Sequence, residues 1–75
     1  MNEANATTHR LLLGALETAE LIGVSLRTLR AWDAAGRIPA PRRIGRACRW
    51  SRHELEAWIA AGCPDRRAWL AIRDA

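Results

Sequence analysis

The chain has 75 residues, with twelve bases against eight acids for a formal net charge of +4, and every base is Arg. A chain this short buries only about 60% of its unfolded surface. It is therefore one small domain with little room for both a core and an enclosed substrate pocket, and a free-standing enzyme is not expected.

The N-terminal ten residues are polar and aperiodic, and they predict a disordered tail over 1–10 ahead of a folded domain over 11–75. This opening has no apolar signal core and carries Glu3, so no secretory leader is expected. Leu11-Leu12-Leu13 reads as a short strand or a lead-in that packs on the core. Gly14 then caps a first helix, Ala15–Ile22, with Ala15, Ala19 and Ile22 on one face and Glu17 in the first turn, where a negative charge suits the helix dipole. Gly23 ends it. Ser25 is a strong N-cap for a second helix, Leu26–Ala35. Its apolar stripe is Leu26, Leu29, Trp32 and Ala35, and Gly36 stands at the expected C′ position. Only Gly23-Val24-Ser25 separates the two helices. A turn this tight, with a glycine and one apolar residue, predicts a helix-turn-helix.

Pro39 and Pro41 exclude helix and favour extended backbone. Arg42-Arg43-Ile44 and Ala47-Cys48-Arg49-Trp50 then predict two strands around the turn Gly45-Arg46. Alternation puts Cys48 and Trp50 on one face. An Arg-studded hairpin directly after a helix-turn-helix is read as a wing. Ser51-x-x-Glu54 predicts a capping box, opening a helix over about Arg52–Ala61 with Leu55, Trp58 and Ile59 inward. Pro64 at a first helical position predicts a last helix over Pro64–Asp74, with Ala68, Trp69 and Ile72 inward. The expected fold is mainly α with a small β-hairpin, a winged helix-turn-helix of four short helices plus the wing.

Charge is distributed unevenly along this plan. Between Arg27 and Arg52 there are eight Arg and one acid, Asp33, a local charge of +7; the rest of the chain carries −3. A one-signed stripe on an otherwise acidic small protein predicts a polyanionic partner. Arg27 is the second residue of its helix, where a cation is disfavoured by a few tenths to about 1 kcal/mol. That placement makes sense where the helix end meets phosphates or base edges. Ser25, Arg27, Thr28 and Ala31 are expected to face the bases, with Arg30 on a base or phosphate. The structural alternative for Arg30 is a pair with Asp33, and the same holds for Arg37. Arg42, Arg43, Arg46 and Arg49 crowd a short hairpin whose repulsion phosphates would relieve. The expected DNA-binding set is thus Ser25, Arg27, Thr28, Arg30, Arg37, Arg42, Arg43, Arg46 and Arg49.

Other constellations are poor. The longest stretch without a charge, Ala57–Pro64, spans eight residues, against the about 20 apolar residues a membrane helix needs. Cys48, Cys63, His9 and His53 match no zinc spacing, and the cysteines read as reduced thiols of a cytoplasmic protein. No metal, cofactor or catalytic pairing is expected. The four Trp are assigned to the core rather than to base stacking.

The segments AELIGVSLRTLRAW, GRIPAPRRIG and RWSRHELEAWI resemble, in order, the small MerR-like helix-turn-helix proteins of the excisionase and AlpA type. The resemblance implies a DNA-binding domain with Ser25, Arg27, Thr28 and Arg30 on the recognition helix and Arg43, Arg46 and Arg49 on the wing. It implies a recombination directionality factor that bends DNA and recruits an integrase or recombinase, or a small transcriptional regulator. Gly14 stands where relatives carry Thr or Ser. The chain stops short of the dimerisation helix and effector domain of full-length MerR regulators, so no small-molecule effector is expected. Double-stranded DNA, an integrase and further copies bound side by side are the expected partners, in the nucleoid of a bacterium or phage host. The competing expectation is a protein-interaction adaptor that uses the same fold.

Overall fold

The computed structural model describes residues 9–75; most of the tail expected over 1–10 lies outside the described residues. The order of elements is β1 (Leu12–Leu13), α1 (Ala15–Ile22), α2 (Leu26–Ala34), β2 (Arg42–Ile44), β3 (Ala47–Ser51), α3 (Arg52–Ala60) and α4 (Arg66–Arg73). The protein is mainly helical, with four helices and one small antiparallel sheet in the order β1-β3-β2. The triple-Leu lead-in is a strand: Leu12 pairs with Ser51 and Leu13 with Trp50. This edge strand ties the start of the helix-turn-helix to the hairpin.

Local chemistry explains the boundaries. Glu17 Oε1 accepts the Gly14 N–H at 3.0 Å, so an acidic side chain supplies the capping contact that glycine itself cannot. Gly23 ends α1 with φ of 82°, and the Val24 N–H reaches back to Ala19 O at 2.9 Å. This is a Schellman ending, and Val24 packs on the core as such endings favour. The Ser25 hydroxyl then caps α2 by accepting the Thr28 N–H at 3.1 Å.

The core is Leu13, Ala19, Leu29, Ile38, Trp50, Leu55, Trp58 and Trp69, with Trp32 half-buried against it. Three Trp thus lie in the core, as expected. Each has a partner for its indole N–H: Pro39 O for Trp50 at 2.8 Å, Pro64 O for Trp58 at 2.7 Å and Glu54 Oε2 for Trp69 at 3.0 Å. Large aromatics fill a small core at low polar cost when the N–H is satisfied in this way.

Three expectations are corrected. Helix α4 begins at Arg66, not at Pro64: Asp65 is the N-cap and accepts the Ala68 N–H at 2.8 Å. Pro64 is held outside the helix because its carbonyl receives Trp58. Second, on α4 only Trp69 is buried and Arg66 half-buried, with exposed Arg73 reaching back to Glu54, while Ala68 is exposed and Ile72 is 52% exposed. The two Arg flank Trp69 at three and four residues and share its face. Ile59 is likewise 48% exposed, one residue and about 100° around α3 from buried Trp58. Third, the capping box at Ser51 forms only in half. Ser51 Oγ accepts the Glu54 N–H at 3.1 Å, but the Glu54 carboxylate turns into the protein, where donors from α4 approach it.

Candidate nucleic-acid interface

At the start of α2, Ser25 and Arg27 are exposed and Leu26 and Thr28 half-buried. Ser25 uses its hydroxyl twice, accepting the Thr28 N–H and donating to Thr28 Oγ1 at 2.9 Å. Ser25 is therefore occupied as a cap, and the hydroxyl with a proton left to donate is that of Thr28. Arg27 and Arg30 project from the same helix and are exposed.

The hairpin places its charges against this helix. Strand register sets Arg42 opposite Arg49, Arg43 opposite Cys48 and Ile44 opposite Ala47. Gly45 takes φ of 61° and Arg46 does not have positive φ, the pattern of a type II′ turn, which matches the strand twist. Arg30 from α2 and Arg43, Arg46 and Arg49 from the hairpin line one open groove between helix and wing. Thus residues nineteen positions apart in sequence share one positive surface. Arg49 also donates to Cys48 O at 2.8 Å, which steadies its guanidinium.

Asp33 also lines this groove, but it and most other acids are engaged; Asp65 caps α4, and Glu20 makes no ion pair among the described residues. Glu17 pairs with Arg10, Asp33 with Arg66 at 2.6 Å, Glu54 with Arg73 at 2.9 Å and more loosely with Arg42 at 3.6 Å, Glu56 with Arg52 at 3.7 Å, and Asp74 with Arg73 at 3.0 Å. Asp33 therefore pairs with neither Arg30 nor Arg37, the partners considered from sequence. Among the described residues, Arg27, Arg30, Arg37, Arg43, Arg46, Arg49 and Arg67 make no ion pair. All but Arg67 belong to the basic stretch.

Glu17 and Glu54 are held ionised. The Gly14 N–H, more than the charges of Arg10 and Arg49, keeps the Glu17 carboxyl below its ordinary value despite its partial burial. For Glu54, burial pushes the carboxyl up, but the hydrogen bonds from Trp69 and Arg73 and the charges of Arg42 and Arg73 outweigh it, and the net shift is downward.

Of the expected set, Arg30, Arg43, Arg46 and Arg49 line the groove; Ser25, Arg27 and Thr28 sit at the start of α2 outside that lining, and Arg42 and Arg37 are directed elsewhere. Arg42 leans toward Glu54, on the side of the hairpin facing α3 and α4. Arg37 lies beside Trp32 and Cys63. Sequence reading missed Arg66 and Glu54, whose roles depend on contacts 33 and 19 residues away. The signal available was modest: an Arg at the start of a helix, like Arg66, calls for a local anion or acceptor. Among the described residues, no three His, Cys, Asp or Glu gather as a metal group, and no helix is long and apolar enough to cross a membrane.

A capped helix following a three-residue turn, with an Arg-lined hairpin beside it, defines a helix-turn-helix DNA-binding module. The family model described as a helix-turn-helix domain matches residues 12–63, and the chain belongs to that family. No curated protein and no solved structure matches the chain.

Proposed function

We propose that this chain is a sequence-specific double-stranded DNA-binding protein that acts without catalysis, as a recombination directionality factor of the excisionase type or as a small transcriptional regulator. The observation that carries this reading is the partition of its arginines. Arg10, Arg52, Arg66 and Arg73 are matched to carboxylates, whereas Arg27, Arg30, Arg43, Arg46 and Arg49, on one helix and the adjoining wing, are left for an external anion.

In this mechanism the N-terminal turn of α2 enters the major groove. Arg27 and Thr28 reach base edges there, and Arg30 reaches a base or phosphate. The hairpin lies along the backbone or in the minor groove, with Arg43, Arg46 and Arg49 on phosphates. Helix and wing bind at two points, and a bend of the duplex toward the protein brings both into contact. A single module of this size covers a short site. Further copies side by side on the DNA, in the nucleoid, extend it, and an integrase is the partner that the excisionase reading implies.

Gel-shift against the DNA upstream of the protein's own gene and nearby repeats tests the reading, with Arg27→Ala and Arg46→Ala as controls. Binding that both variants weaken is expected. Unchanged DNA affinity in both variants, with loss of integrase in a pull-down, would instead establish the adaptor role.

A further inference from the structure

Helix α4 lies beyond the residues that match the helix-turn-helix family model, yet it holds both DNA-facing elements. Its first residue, Arg66, reaches the end of α2 and the link that follows. The Arg66 N–H donates to Gly36 O at 2.9 Å, Nε to Ile38 O at 3.0 Å, and Nη2 to Asp33 O at 3.1 Å and Asp33 Oδ1 at 2.6 Å. The neighbouring carbonyl, Pro39 O, is taken by the Trp50 indole from the wing strand β3. Ile38 and Pro39 are fully buried, so these carbonyls need partners from the protein itself. At its other end, α4 carries Arg73, which holds Glu54, and Glu54 faces Arg42 of strand β2.

We infer that α4 is a brace that fixes the angle between recognition helix and wing, and that Arg66 is a positioning residue for sequence readout. This rests on the DNA-binding reading above. The link from α2 to β2 is the covalent connection between the two contact elements, and Arg66 and Trp50 immobilise it through three of its carbonyls. A fixed link lets helix and wing reach their contacts together, without ordering the link on binding. A loosened link still presents the same charges to phosphates. It therefore affects the register-dependent base contacts and leaves the phosphate term alone. Lysine at 66 keeps the charge but lacks the planar fork that serves Ile38 O and Asp33 at once.

The wild-type chain is used to select a duplex from a random pool. Affinities for that duplex and for a scrambled one are then measured with wild type, Arg66→Lys and Arg67→Ala. Arg66→Lys, checked for folding by circular dichroism, is expected to lose about tenfold or more on the selected duplex, the size of one or more lost base contacts. It keeps its affinity for the scrambled duplex within about twofold, and keeps the same salt slope. Arg67→Ala, exposed and without an ion pair among the described residues, behaves as wild type on both. Equal losses on both duplexes, or none on the selected one, overturn the inference. Should Arg66→Lys fail to fold, Trp50→Phe, which frees Pro39 O without changing charge, is judged by the same criteria. If the wild-type chain selects no duplex, the DNA-binding reading itself fails, and the inference falls with it.

Discussion

Trp69 of α4 donates its indole N–H to Glu54 Oε2 of α3 at 3.0 Å, in a part of the core where the Glu54 side chain is only 5% exposed. Arg73 donates to the same oxygen at 2.9 Å, and Arg42 faces the other at 3.6 Å. One buried carboxylate therefore joins the last helix, the preceding helix and the wing strand. Removing it strands the buried Trp69 indole N–H, while Arg73 keeps Asp74. Glu54→Ala is expected to destabilise the fold by about 1–3 kcal/mol, the cost of a buried donor left unpaired, as read from urea denaturation.

The same carboxylate sets an acid response. Its folded pKa is depressed, so its contribution is fully present above the unfolded value and is lost as pH falls through the folded one. Glu17 shifts in the same direction. Unfolding free energy should therefore fall on acidification from about pH 6 to about pH 3. Glu54→Gln should flatten that slope without abolishing it, because Glu17 remains.

Thr18 is fully buried on α1, and its hydroxyl has no hydrogen-bond partner. A buried polar group left unpaired costs about 1–3 kcal/mol. Thr18→Val keeps the branched shape and removes the hydroxyl, so it should raise the urea midpoint by an amount equivalent to about 1 kcal/mol with m unchanged.

Arg27 sits in the first turn of α2, which contains no acidic residue. Arg27→Glu should stabilise the helix by a few tenths to about 1 kcal/mol, seen as a small rise in Tm, while duplex DNA affinity collapses. A residue whose replacement improves the fold and ends binding is held in place by function rather than stability.

Arg37 and Arg46 carry the same charge and are both exposed, but only Arg46 lines the groove beside α2. Arg46→Ala should lower duplex affinity and reduce the magnitude of the log–log salt slope by about 1. Arg37→Ala should leave both close to wild type. Equal effects in titrations at several salt concentrations would show that general positive charge, rather than this surface, does the binding.

What the sequence revealed was set by range. Ser25 as a cap, Gly23 and Gly36 as helix ends and Gly45 in the hairpin turn are fixed by neighbours within a few residues, and all are observed. The segregation of charge also survives folding, because the acids that could neutralise it find scaffold partners. The inward face of α4 was not legible. Hydrophobic periodicity favours Ala68 and Ile72, whereas in the structure half-buried Arg66 and exposed Arg73 reach from α4 to Asp33 and Glu54. Those partners come from other helices, so spacing within α4 carries no trace of them. Glu54 misled for a related reason: its position matches a capping box, but a buried indole and a guanidinium compete for the carboxylate more strongly than a local N–H does.

Arg27, Arg30, Arg43, Arg46 and Arg49, without ion pairs among the described residues, are expected to meet duplex DNA, Arg27 at base edges and the wing arginines at phosphates. The most direct measurement is the affinity of the full chain for duplex DNA as a function of salt. Three or four arginines on phosphates would give a log–log slope of about −3 to −4. Affinity that stays flat between low and moderate salt, or no measurable binding to duplex DNA at low salt, would contradict it.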